Sequence, residues 1–598
     1  MATKKRNFPV KGMGCAACVA RVQNTLKEQP GVVNVNVSLA SNMAQVEYDS
    51  TVCSPADLQK AVEGAGYELL VEGAEEEAED EAERGREEHY RALRRDAVLA
   101  LVLSALLMLV GMGVKDFPGK GYVLWGLATP AVFLCGRHFF VPAWKQLRHG
   151  AASMDTLVAL SVTISYLFSV FNLLFPQVWT ARGMEAHLYF ESSAMIVAFI
   201  LLGRVLEERA KHRTTSAIRA LKALQPERTV FPGDTVEIVP GERVPGDGTV
   251  LSGASGIDES MLTGESEPVA KEVGSPVFAG TLNGRGTLTV RIDKAGNDTV
   301  LAGMIALVRD AQGSRAPVQD LVDRIARIFV PVVIGIALLT FLVWWLAFGQ
   351  IVTGLLTMVT VLVIACPCSL GLATPTAIVC GIGSAARKGL LIRDAASLQA
   401  ARRIDTLVSD KTGTLTVGAP EVLAEGAAEA ISALKGRGID IHLISGDKPE
   451  AVQKVALALG ITHAVSGVLP GDKVSAVKEL QAQGRCVAMV GDGINDSAAL
   501  ATADVSIAMG RGTDVAMDAA MVTIVSSDLR KVPQLIDLSR RTVRIIRENL
   551  FWAFIYNVLA IPLAAGVLYP WLLSPMVGAA CMALSSVCVV SNSLRLLR

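Results

Sequence analysis

The chain has 598 residues, more than one hydrophobic core usually holds, so several domains are expected. Hydrophobic residues make up 51 % of the chain and charged residues 19 %, a balance typical of a membrane protein with soluble parts. The formal net charge of −1 argues against nucleic acid as the main partner. The ten cysteines lie in a long chain rather than a short secreted scaffold, so we expect reduced thiols that serve partly as ligands.

Eight apolar segments are long enough to span a bilayer. They are 96–114, 121–142, 155–177, 188–206, 328–348, 353–382, 549–568 and 571–593. No apolar stretch follows the charged N-terminus, so a secretory signal is not predicted. Arg and Lys are concentrated on one side of the spans, which predicts that both termini and both large loops are cytoplasmic. We predict a multi-pass membrane protein, with a bacterial plasma membrane as the expected location.

The spans divide the chain into domains with predicted boundaries. These are an N-terminal domain (1–70), an acidic linker (71–95), spans one to four (96–206), a first loop domain (207–320), spans five and six (321–385), a second loop domain (386–540) and spans seven and eight (541–598). The linker is rich in Glu, and we interpret it as a solvated helix or linker rather than an ion-attracting tether.

The two loops have different patterns. In the first, β-branched runs at 229–231, 235–239 and 286–292 alternate with Gly and Pro turns, which predicts a compact β domain. In the second, apolar strands at 406–409, 441–444, 487–490 and 505–508 alternate with helical stretches, which predicts a doubly wound α/β domain.

Three acidic motifs of the second loop each follow a predicted strand. They are Asp410-Lys-Thr-Gly-Thr-Leu-Thr416, Ser445-Gly-Asp447 and Gly491-Asp-Gly-Ile-Asn-Asp496. Reactive groups of open α/β sheets lie at the carboxyl ends of strands, so we expect the carboxylates to share one crevice. An isolated motif of this kind could be a surface turn, but three motifs at three strand ends favour a site.

A nucleophilic carboxylate among other carboxylates needs a divalent cation before a phosphate can approach, and Mg²⁺ is the natural choice. Its predicted ligands are Asp410, Thr412, Asp492 and Asp496. Lys473 is predicted to place a positive charge near the transferred phosphoryl group. The motifs add Lys411, Thr412, Ser445, Asp447 and Asn495 to the candidate catalytic residues.

This set of motifs resembles the phosphorylation domain of P-type ATPases, which has a haloacid-dehalogenase-like fold. The resemblance implies that ATP phosphorylates Asp410. Thr263-Gly264-Glu265 in the first loop is similar to the family's actuator motif, and this similarity implies that Glu265 positions the water that hydrolyses the aspartyl phosphate.

Cys366-Pro367-Cys368 lies within an apolar span and predicts the class of ion that is moved. Proline removes a backbone hydrogen bond and opens the helix, so both thiols can face one point. Thiolates prefer soft ions such as Cu(I) to Na⁺, Mg²⁺ or Ca²⁺. A packing kink would explain a proline with two small neighbours, but polar groups at this depth are costly enough to favour function.

Further polar groups in the last two spans complete the predicted copper site. They are Tyr556 and Asn557 in the seventh span and Met582 and Ser586 in the eighth. A thioether beside two thiolates favours Cu(I) over Zn²⁺, which more often binds carboxylate or imidazole. The constellation resembles the copper branch of the heavy-metal P-type ATPases, with Ag(I) as a second possible cargo.

Met13-Gly-Cys15-Ala-Ala-Cys18 resembles the metal-binding loop of heavy-metal-associated domains. Such a pair could also be a redox couple, but the surrounding helix and strand pattern favours metal delivery, with a cytosolic copper chaperone as a possible partner. The resemblance also implies a path for copper through Met154, Glu207 and Asp323 at the cytosolic face and Glu191 near the exit. Glu207 and Asp323 flank spans at a depth where snorkelling side chains are normal, but we favour the copper path.

One expected part is missing. The family places a nucleotide-binding domain between the phosphorylated Asp and the Ser445-Gly-Asp447 motif, but the interval here is too short for a domain of even ~50 residues. None of the seven histidines precedes a proline, so the family's His-Pro dipeptide for adenine is also absent. ATP binding is therefore in doubt.

Three functions are compatible with these patterns. The first is a Cu(I)-exporting P-type ATPase, or a shortened form in which ATP use is impaired. The second is a non-pumping protein that binds or conducts copper. The third is a phosphatase of the same α/β fold on a membrane anchor, which leaves the intramembrane cysteines unexplained.

Overall fold

The computed structural model describes most of the chain. The described residues are 3–11, 13, 16–38, 43–71, 75–115, 117–148, 154–180, 187–214, 221–226, 228–263, 267–314, 316–365, 369–417, 422–492, 496–510, 520–526 and 528–597. They form two compact units. The first comprises Met1–Arg213, Pro317–Ala377 and Ile546–Arg595, and the second comprises Thr214–Ala316, Ile378–Ile545 and Leu596–Arg598.

The first unit begins with a small α/β sandwich. Its strands are β1 (Thr3–Lys11), β2 (Val32–Ser38), β3 (Met43–Asp49) and β4 (Glu68–Leu69), in the order β2-β3-β1-β4. Two helices, Ala16–Lys27 and Pro55–Gly64, belong to it, and the second begins with a capping box between Ser54 and Asp57. In β3 every second side chain is buried, as expected for a sheet with one face on a core.

The rest of the first unit consists of helices, three of which continue into the second unit. The longer helices are Glu75–Met108, Lys120–Phe133, Arg137–Leu147, Met154–Leu174, Phe190–Thr214, Pro317–Leu346, Ile351–Ile364, Pro375–Ala386, Lys531–Ala564 and Pro575–Leu594. The acidic linker is helical from Glu75 and continues into the first apolar segment, which ends in a π-helical turn, Leu109–Gly113.

Three helices among the described residues are long and apolar enough to cross a membrane: Asp155–Leu174, Ile328–Leu346 and Pro575–Leu597. A fourth span arises if Lys120–Phe133 and Arg137–Lys145, which meet at a bend of 56°, are counted together. This count is lower than the eight predicted spans, although helix occurs within each of the eight segments. One reason is that the sixth segment is divided into the short helices Ile351–Ile364 and Pro375–Ala386.

The helix Pro575–Leu594 packs closely against its neighbours because small residues line it. A Cβ at Gly578 would lie 2.6 Å from Ile364 Cγ1, and one at Gly203 would lie 3.2 Å from the Ala583 Cα. Close backbone approach at small residues is a common way for helices to associate in membranes. The last helix is therefore held next to the segment that precedes Cys366.

In the second unit, the first loop forms two antiparallel sheets. One has the order β10-β7-β8 and the other β5-β11-β6-β9. Their strands are β5 (Thr235–Ile238), β6 (Asp247–Gly253), β7 (Ser255–Asp258), β8 (Val269–Lys271), β9 (Pro276–Val277), β10 (Leu282–Asn283) and β11 (Leu288–Lys294). The predicted run at 229–231 is not a strand, because Phe231 is exposed and leads into a turn at Gly233 with φ +96°.

The second loop forms a seven-stranded sheet in the order β12-β18-β17-β16-β13-β14-β15. The strands are β12 (Leu390–Ile392), β13 (Thr406–Ser409), β14 (Asp440–Ile444), β15 (His463–Val465), β16 (Val487–Gly491), β17 (Val505–Met509) and β18 (Val522–Ile524). All neighbouring pairs from β15 to β18 are parallel, and β12 pairs antiparallel with β18. The helices of this region are Ala395–Ala400, Ala427–Gly436, Pro449–Leu459, Pro470–Ala482 and Ser497–Thr502.

The burial of these strands explains their sequences. Every residue of β13, β16, β17 and β18 is buried, so these strands are mostly apolar and carry only Ser or Thr as polar residues, as in sheets covered on both faces. β15 lies at the end of the sheet and is exposed at His463 and Val465, which is why its pattern was not recognised as a strand.

Candidate active site and membrane ligands

Asp410 lies directly after β13, in the middle of the seven-stranded sheet. Its backbone N–H donates to the Val490 carbonyl of β16 at 3.1 Å, and its side chain is buried. The strand hydrogen bonds therefore fix the position of the carboxylate at the carboxyl edge of the sheet, where the sequence places a nucleophile.

Lys473 connects two of the predicted carboxylates. Its Nζ lies 2.6 Å from Asp410 Oδ1 and 2.6 Å from Asp496 Oδ1, and all three side chains are buried. The lysine comes from the helix Pro470–Ala482, while the two acids follow β13 and β16. One ammonium shared by two buried carboxylates leaves one net negative charge in the crevice, which suits a cation.

The crevice has a further oxygen that the protein does not satisfy. Asp496 Oδ2 is buried and has no hydrogen-bond partner among the described residues. It lies so close to Gly491 that a Cβ there would approach it to 2.6 Å, and Asp492 Oδ2 lies beside Gly413. Buried carboxylate oxygens without partners are rare, and a hard divalent cation such as Mg²⁺ is the ligand that fits them.

The electrostatics of the three groups are coupled. Burial raises the pKa of Asp410, although the hydrogen bond from Lys473 opposes the shift. Burial and the charge of Asp410 raise the pKa of Asp496. Burial alone would lower the pKa of Lys473, but its hydrogen bonds to both carboxylates raise it overall. Lys473 therefore stays protonated, and both carboxylates form an ion pair with it.

The remaining residues of the motifs form a second cluster around Asp447. Lys411 Nζ lies 2.8 Å from Asp447 Oδ2, and the hydroxyls of Thr412 and Ser445 each donate to the same oxygen at 3.0 Å. The bond from Lys411 holds the pKa of Asp447 below its ordinary value. Lys411 is fully buried, so this contact fixes the chain immediately after Asp410.

Several predicted catalytic residues lie outside the described part of the chain. They are Gly264, Glu265 and Asn495. Thr263 ends the short helix Ser260–Thr263, but its side chain is also outside the described part. Their predicted roles therefore stay predictions.

The predicted membrane ligands differ in burial. Asn557 is 1 % exposed and its Oδ1 has no hydrogen-bond partner among the described residues, whereas its Nδ2 donates to the Ala553 carbonyl of the same helix at 3.3 Å. Met582 and Ser586 are buried on one side of the helix Pro575–Leu594. Tyr556 is 39 % exposed and its ring lies beside Trp552, 5.9 Å between centroids.

Cys366, Pro367 and Cys368 lie outside the described residues. Their neighbour Ser369 is buried, and its hydroxyl lies 3.1 Å from that of Ser585. The helix with Met582 and Ser586 therefore lies next to Ser369, while the predicted copper ligands Cys366 and Cys368 stay a prediction.

The sequence analysis did not single out Ser585 or Asn549. Asn549 is fully buried, and its Nδ2 donates to the Ala373 carbonyl at 2.9 Å and to Ser593 Oγ at 2.8 Å. Asn592 donates to its Oδ1 at 2.9 Å. Polar side chains inside apolar helices were the available signal, but nothing in the sequence distinguishes this satisfied Asn from Asn557.

The predicted copper path is only partly described. Glu191 and Glu207 lie half-buried in the helix Phe190–Thr214, while the side chains of Met154 and Asp323 are outside the described part. A pair that the sequence analysis missed lies next to Met154, since buried Asp155 forms an ion pair with Arg204. Cys15 lies outside the described residues, and Cys18 is buried at the start of the helix Ala16–Lys27.

The interval between β13 and β14 holds a single helix, Ala427–Gly436, among its described residues. Before it, Thr416 forms isolated bridges with Thr412 and Leu423. Among the described residues, the connection from Asp410 to the next strand of the sheet therefore contains one crossover helix.

Three regions match known families. Residues 7–68 match the heavy-metal-associated domain, 212–309 the P-type ATPase actuator domain and 421–504 the haloacid dehalogenase-like hydrolases. A solved structure of a zinc-transporting PIB-type ATPase is 25 % identical, covers 85 % of this chain and 100 % of its own, and has a TM-score of 0.46.

Two curated relatives align with nearly the whole chain. The probable copper-transporting ATPase PacS of Synechocystis sp. is 37 % identical over 736 positions, 99 % of each protein. The copper-exporting P-type ATPase of Bacillus subtilis is 36 % identical over 738 positions, 99 % of this chain and 91 % of the relative. Both alignments are longer than the 598 residues of this chain, so the relatives contain internal residues that it lacks. The identity and the coverage show that this chain belongs to the copper-transporting P-type ATPase family.

Proposed function

We propose that this protein is a Cu(I)-exporting P-type ATPase that works through an aspartyl phosphate at Asp410, or a shortened form whose use of ATP is impaired. The observation that carries the proposal is the pair of buried carboxylates, Asp410 and Asp496, that share Lys473. The curated relatives that cover almost the whole chain support copper as the cargo.

The proposed chemistry begins with Asp410. The carboxylate oxygen attacks the terminal phosphorus of a phosphate donor, the new O–P bond forms, and the bond to the leaving oxygen breaks, so that ADP or another leaving group departs with the electron pair. Lys473 holds Asp410 in place and balances charge on the phosphoryl oxygens. Thr412 and Lys411, held through Asp447, fix the turn that follows the nucleophile.

Asp410, Asp492, Asp496 and Thr412 would hold Mg²⁺. When bound, this ion supplies charge neutralisation for the transferred phosphoryl group and the carboxylates around it. The buried Asp496 Oδ2 without a partner among the described residues supports the assignment. In the proposed second step, Glu265 of the Thr263-Gly264-Glu265 motif orients the water that hydrolyses the aspartyl phosphate, and Asn495 completes the crevice.

The proposed copper ligands are Cys366, Cys368, Met582, Asn557 and Ser586, with Tyr556 as the least supported member because its ring is directed toward Trp552. The buried Asn557 Oδ1 supports the site because it is an oxygen ligand without a partner among the described residues. Ag(I) shares the preference for thiolate and thioether and is the second proposed cargo.

The proposed path starts in the cytosol. Cys15 and Cys18 would bind Cu(I) delivered by a donor such as a cytosolic copper chaperone. Met154, Glu207 and Asp323 would accept the ion at the cytosolic face, and Glu191 would lie near the exit. We propose eight spans, because helix occurs in each of the eight apolar segments. We also propose that both termini are cytoplasmic and that the domains have the boundaries predicted from the sequence.

Acid-stable labelling with γ-phosphate-labelled ATP tests the proposal, with Asp410→Asn as the control. We expect label in the parent protein that depends on Cu(I) and is lost in Asp410→Asn. A parallel reaction with labelled acetyl phosphate separates the donor from the crevice. Label from acetyl phosphate but not from ATP would identify the shortened form, and label from neither would contradict an aspartyl-phosphate enzyme.

The short crossover between β13 and β14 favours a second candidate, a non-pumping protein that binds or conducts copper. It predicts Cu(I) binding that depends on Cys366 and Cys368 without any phosphorylated intermediate. Transport into vesicles with and without a phosphate donor distinguishes the two, because only the pump moves copper against its gradient.

A further inference from the structure

A cluster on the seven-stranded sheet lies apart from the crevice and uses two of the chain's seven histidines. Asp440 and His442 lie two residues apart on β14, so their side chains share one face of the sheet. His463 is the first residue of β15 and is the register partner of His442. Three potential metal ligands therefore come together from two adjacent strands.

The side chains are arranged around the carboxylate. Asp440 Oδ2 lies 3.2 Å from His442 Nε2, and Asp440 Oδ1 lies 3.9 Å from His463 Nε2. The two imidazole rings are stacked, with centroids 4.6 Å apart and planes 9° from parallel. One carboxylate thus presents one oxygen to each ring, and the ligand atoms of all three residues lie within 4.8 Å of one another.

A hydrogen bond between His442 and Asp440 is enough to explain those two residues without a metal. That hydrogen bond does not involve His463. The side chain of His463 is more exposed, so solvent is available for its ring nitrogens. Two donor atoms bound to one tetrahedral Zn²⁺ are about 3.3 Å apart, given Zn–N bonds of ~2.0 Å. Coordination of one ion by both histidines requires their rings to turn out of the parallel stack, because a metal bound by imidazole lies in the plane of the ring.

We propose that Asp440, His442 and His463 bind a divalent transition-metal ion of the class that prefers imidazole, such as Zn²⁺. Two imidazoles and a carboxylate leave at least one coordination position for water. The set contains no sulfur, so it favours Zn²⁺ over Cu(I), and its nitrogen atoms favour Zn²⁺ over Mg²⁺. The site is separate from both the proposed copper path and the phosphorylation crevice.

The position of the site gives it a structural effect. β15 ends the strand order of the sheet, and the chain after it leads to the helix that carries Lys473. Ser445 donates its backbone N–H to the Val465 carbonyl at 3.0 Å, so β15 also supports the loop of Asp447. An ion that joins His463 to β14 would stabilise this edge of the sheet.

The test measures Zn²⁺ binding to the full-length protein in detergent. Cys15, Cys18, Cys366 and Cys368 are first replaced by Ser, because thiolates bind Zn²⁺ strongly, and excess Mg²⁺ is present to occupy the carboxylates of the crevice. Titration against a chromophoric chelator should then find one site that disappears, or weakens at least tenfold, in His463→Asn and in His442→Asn. His187→Asn, an exposed histidine elsewhere in the chain, is the matched control and should keep it.

Thermal unfolding of the same proteins gives a second readout. Zn²⁺ should raise the Tm of the protein with the four Cys→Ser replacements and of its His187→Asn variant, but not that of its His463→Asn variant, while all three should have the same Tm without metal. Co²⁺ bound at the site should absorb in the visible region without a sulfur charge-transfer band. Equal Zn²⁺ affinity in His463→Asn and His187→Asn, or displacement of Zn²⁺ by Mg²⁺, would overturn the proposal.

Discussion

The phosphorylation crevice and the membrane region satisfy their buried polar groups differently. In the crevice, Lys473 contacts two carboxylates and Lys411 contacts a third, so each buried cation has an acidic partner. In the membrane region, Asn549 has a partner for its oxygen and for its nitrogen, but Asn557 Oδ1 has none among the described residues. Both Asn residues lie on the helix Lys531–Ala564.

The difference separates groups that hold the fold from groups that are available to a ligand. A buried polar atom without a partner costs free energy, so its retention indicates a bound species or a role that the protein alone does not show. Within the two proposed sites this criterion favours Asp496 Oδ2 and Asn557 Oδ1 as ligand atoms, whereas Asn549, whose oxygen and nitrogen both have partners, is structural. The following predictions test that division.

The largest effect is expected for Lys473→Gln. The variant removes the ammonium that balances Asp410 and Asp496, so the rate of labelling by acetyl phosphate should fall by about 10²–10³-fold. Lys478→Gln on the same helix is the matched control, because its side chain is exposed, and it should label at the parental rate. Equal rates for the two variants would mean that Lys473 has no part in the transfer.

The pair Asn557→Ala and Asn549→Ala tests the membrane region. Asn557→Ala removes the proposed ligand oxygen, so Cu(I) affinity should fall at least ~10-fold, since even groups around a metal's ligands change affinity by that much. Its Tm should stay within a few degrees of the parent. Competition with a Cu(I) chelator measures the affinity.

Asn549→Ala should lower the free energy of unfolding and leave Cu(I) affinity unchanged, the opposite of the result expected for Asn557→Ala. It leaves the Ala373 carbonyl and Asn592 without their partner, at a cost of about 1–3 kcal/mol, while Cu(I) affinity stays unchanged. If both variants lower affinity equally, the lack of a partner does not identify the ligand.

The sequence predicts the crevice better than the membrane site, for a physical reason. Parallel strands end at one edge of a sheet, so residues that follow β13 and β16 must meet, and Asp410 and Asp496 do. The faces of helices are set by packing between helices, which spacing alone does not determine. Ser585, next to the predicted Ser586, is the residue whose hydroxyl reaches Ser369.

In the seven-stranded sheet, strands were predictable where the apolar run has at least four residues. β13, β14, β16 and β17 were predicted. The buried strands β12 and β18 have three residues each and were missed, and the edge strand β15 was missed because His463 and Val465 are exposed. The eight spans were predicted from hydropathy, yet three helices among the described residues meet the criteria for crossing, or four with the bent pair. Polar residues and helix breaks serve the function and weaken the hydropathy signal.

A smaller effect is expected from pH. Burial raises the pKa of Asp410 above 3.8, so the carboxylate needed for attack is lost as pH falls through that raised value. In the Mg²⁺-free protein, the infrared carboxyl band of Asp410, identified by its loss in Asp410→Asn, should therefore titrate with a midpoint above pH 3.8, and Lys473→Gln should move the midpoint higher. Between pH 3.8 and the raised pKa, folded Asp410 binds its proton more tightly than the unfolded chain does. The contribution of Asp410 to the free energy of unfolding therefore falls as pH rises through that interval. A midpoint at or below 3.8 would contradict the shift.

The smallest effect is expected at the ion pair between Arg437 and Asp537. Two nitrogens of Arg437 contact the two carboxylate oxygens at 3.0 and 2.6 Å, but Asp537 is half-exposed and solvent screens the pair. A double-mutant cycle of Arg437→Ala and Asp537→Ala should give a coupling of about 0.5–1 kcal/mol. The bond from Arg437 lowers the pKa of Asp537, so the coupling should persist above pH 3.8 and disappear as pH falls through the lowered value.

Because neither residue contacts the crevice acids described above, acetyl phosphate labelling should be unchanged in both variants. A loss of labelling would show that the edges of this domain are coupled to Asp410.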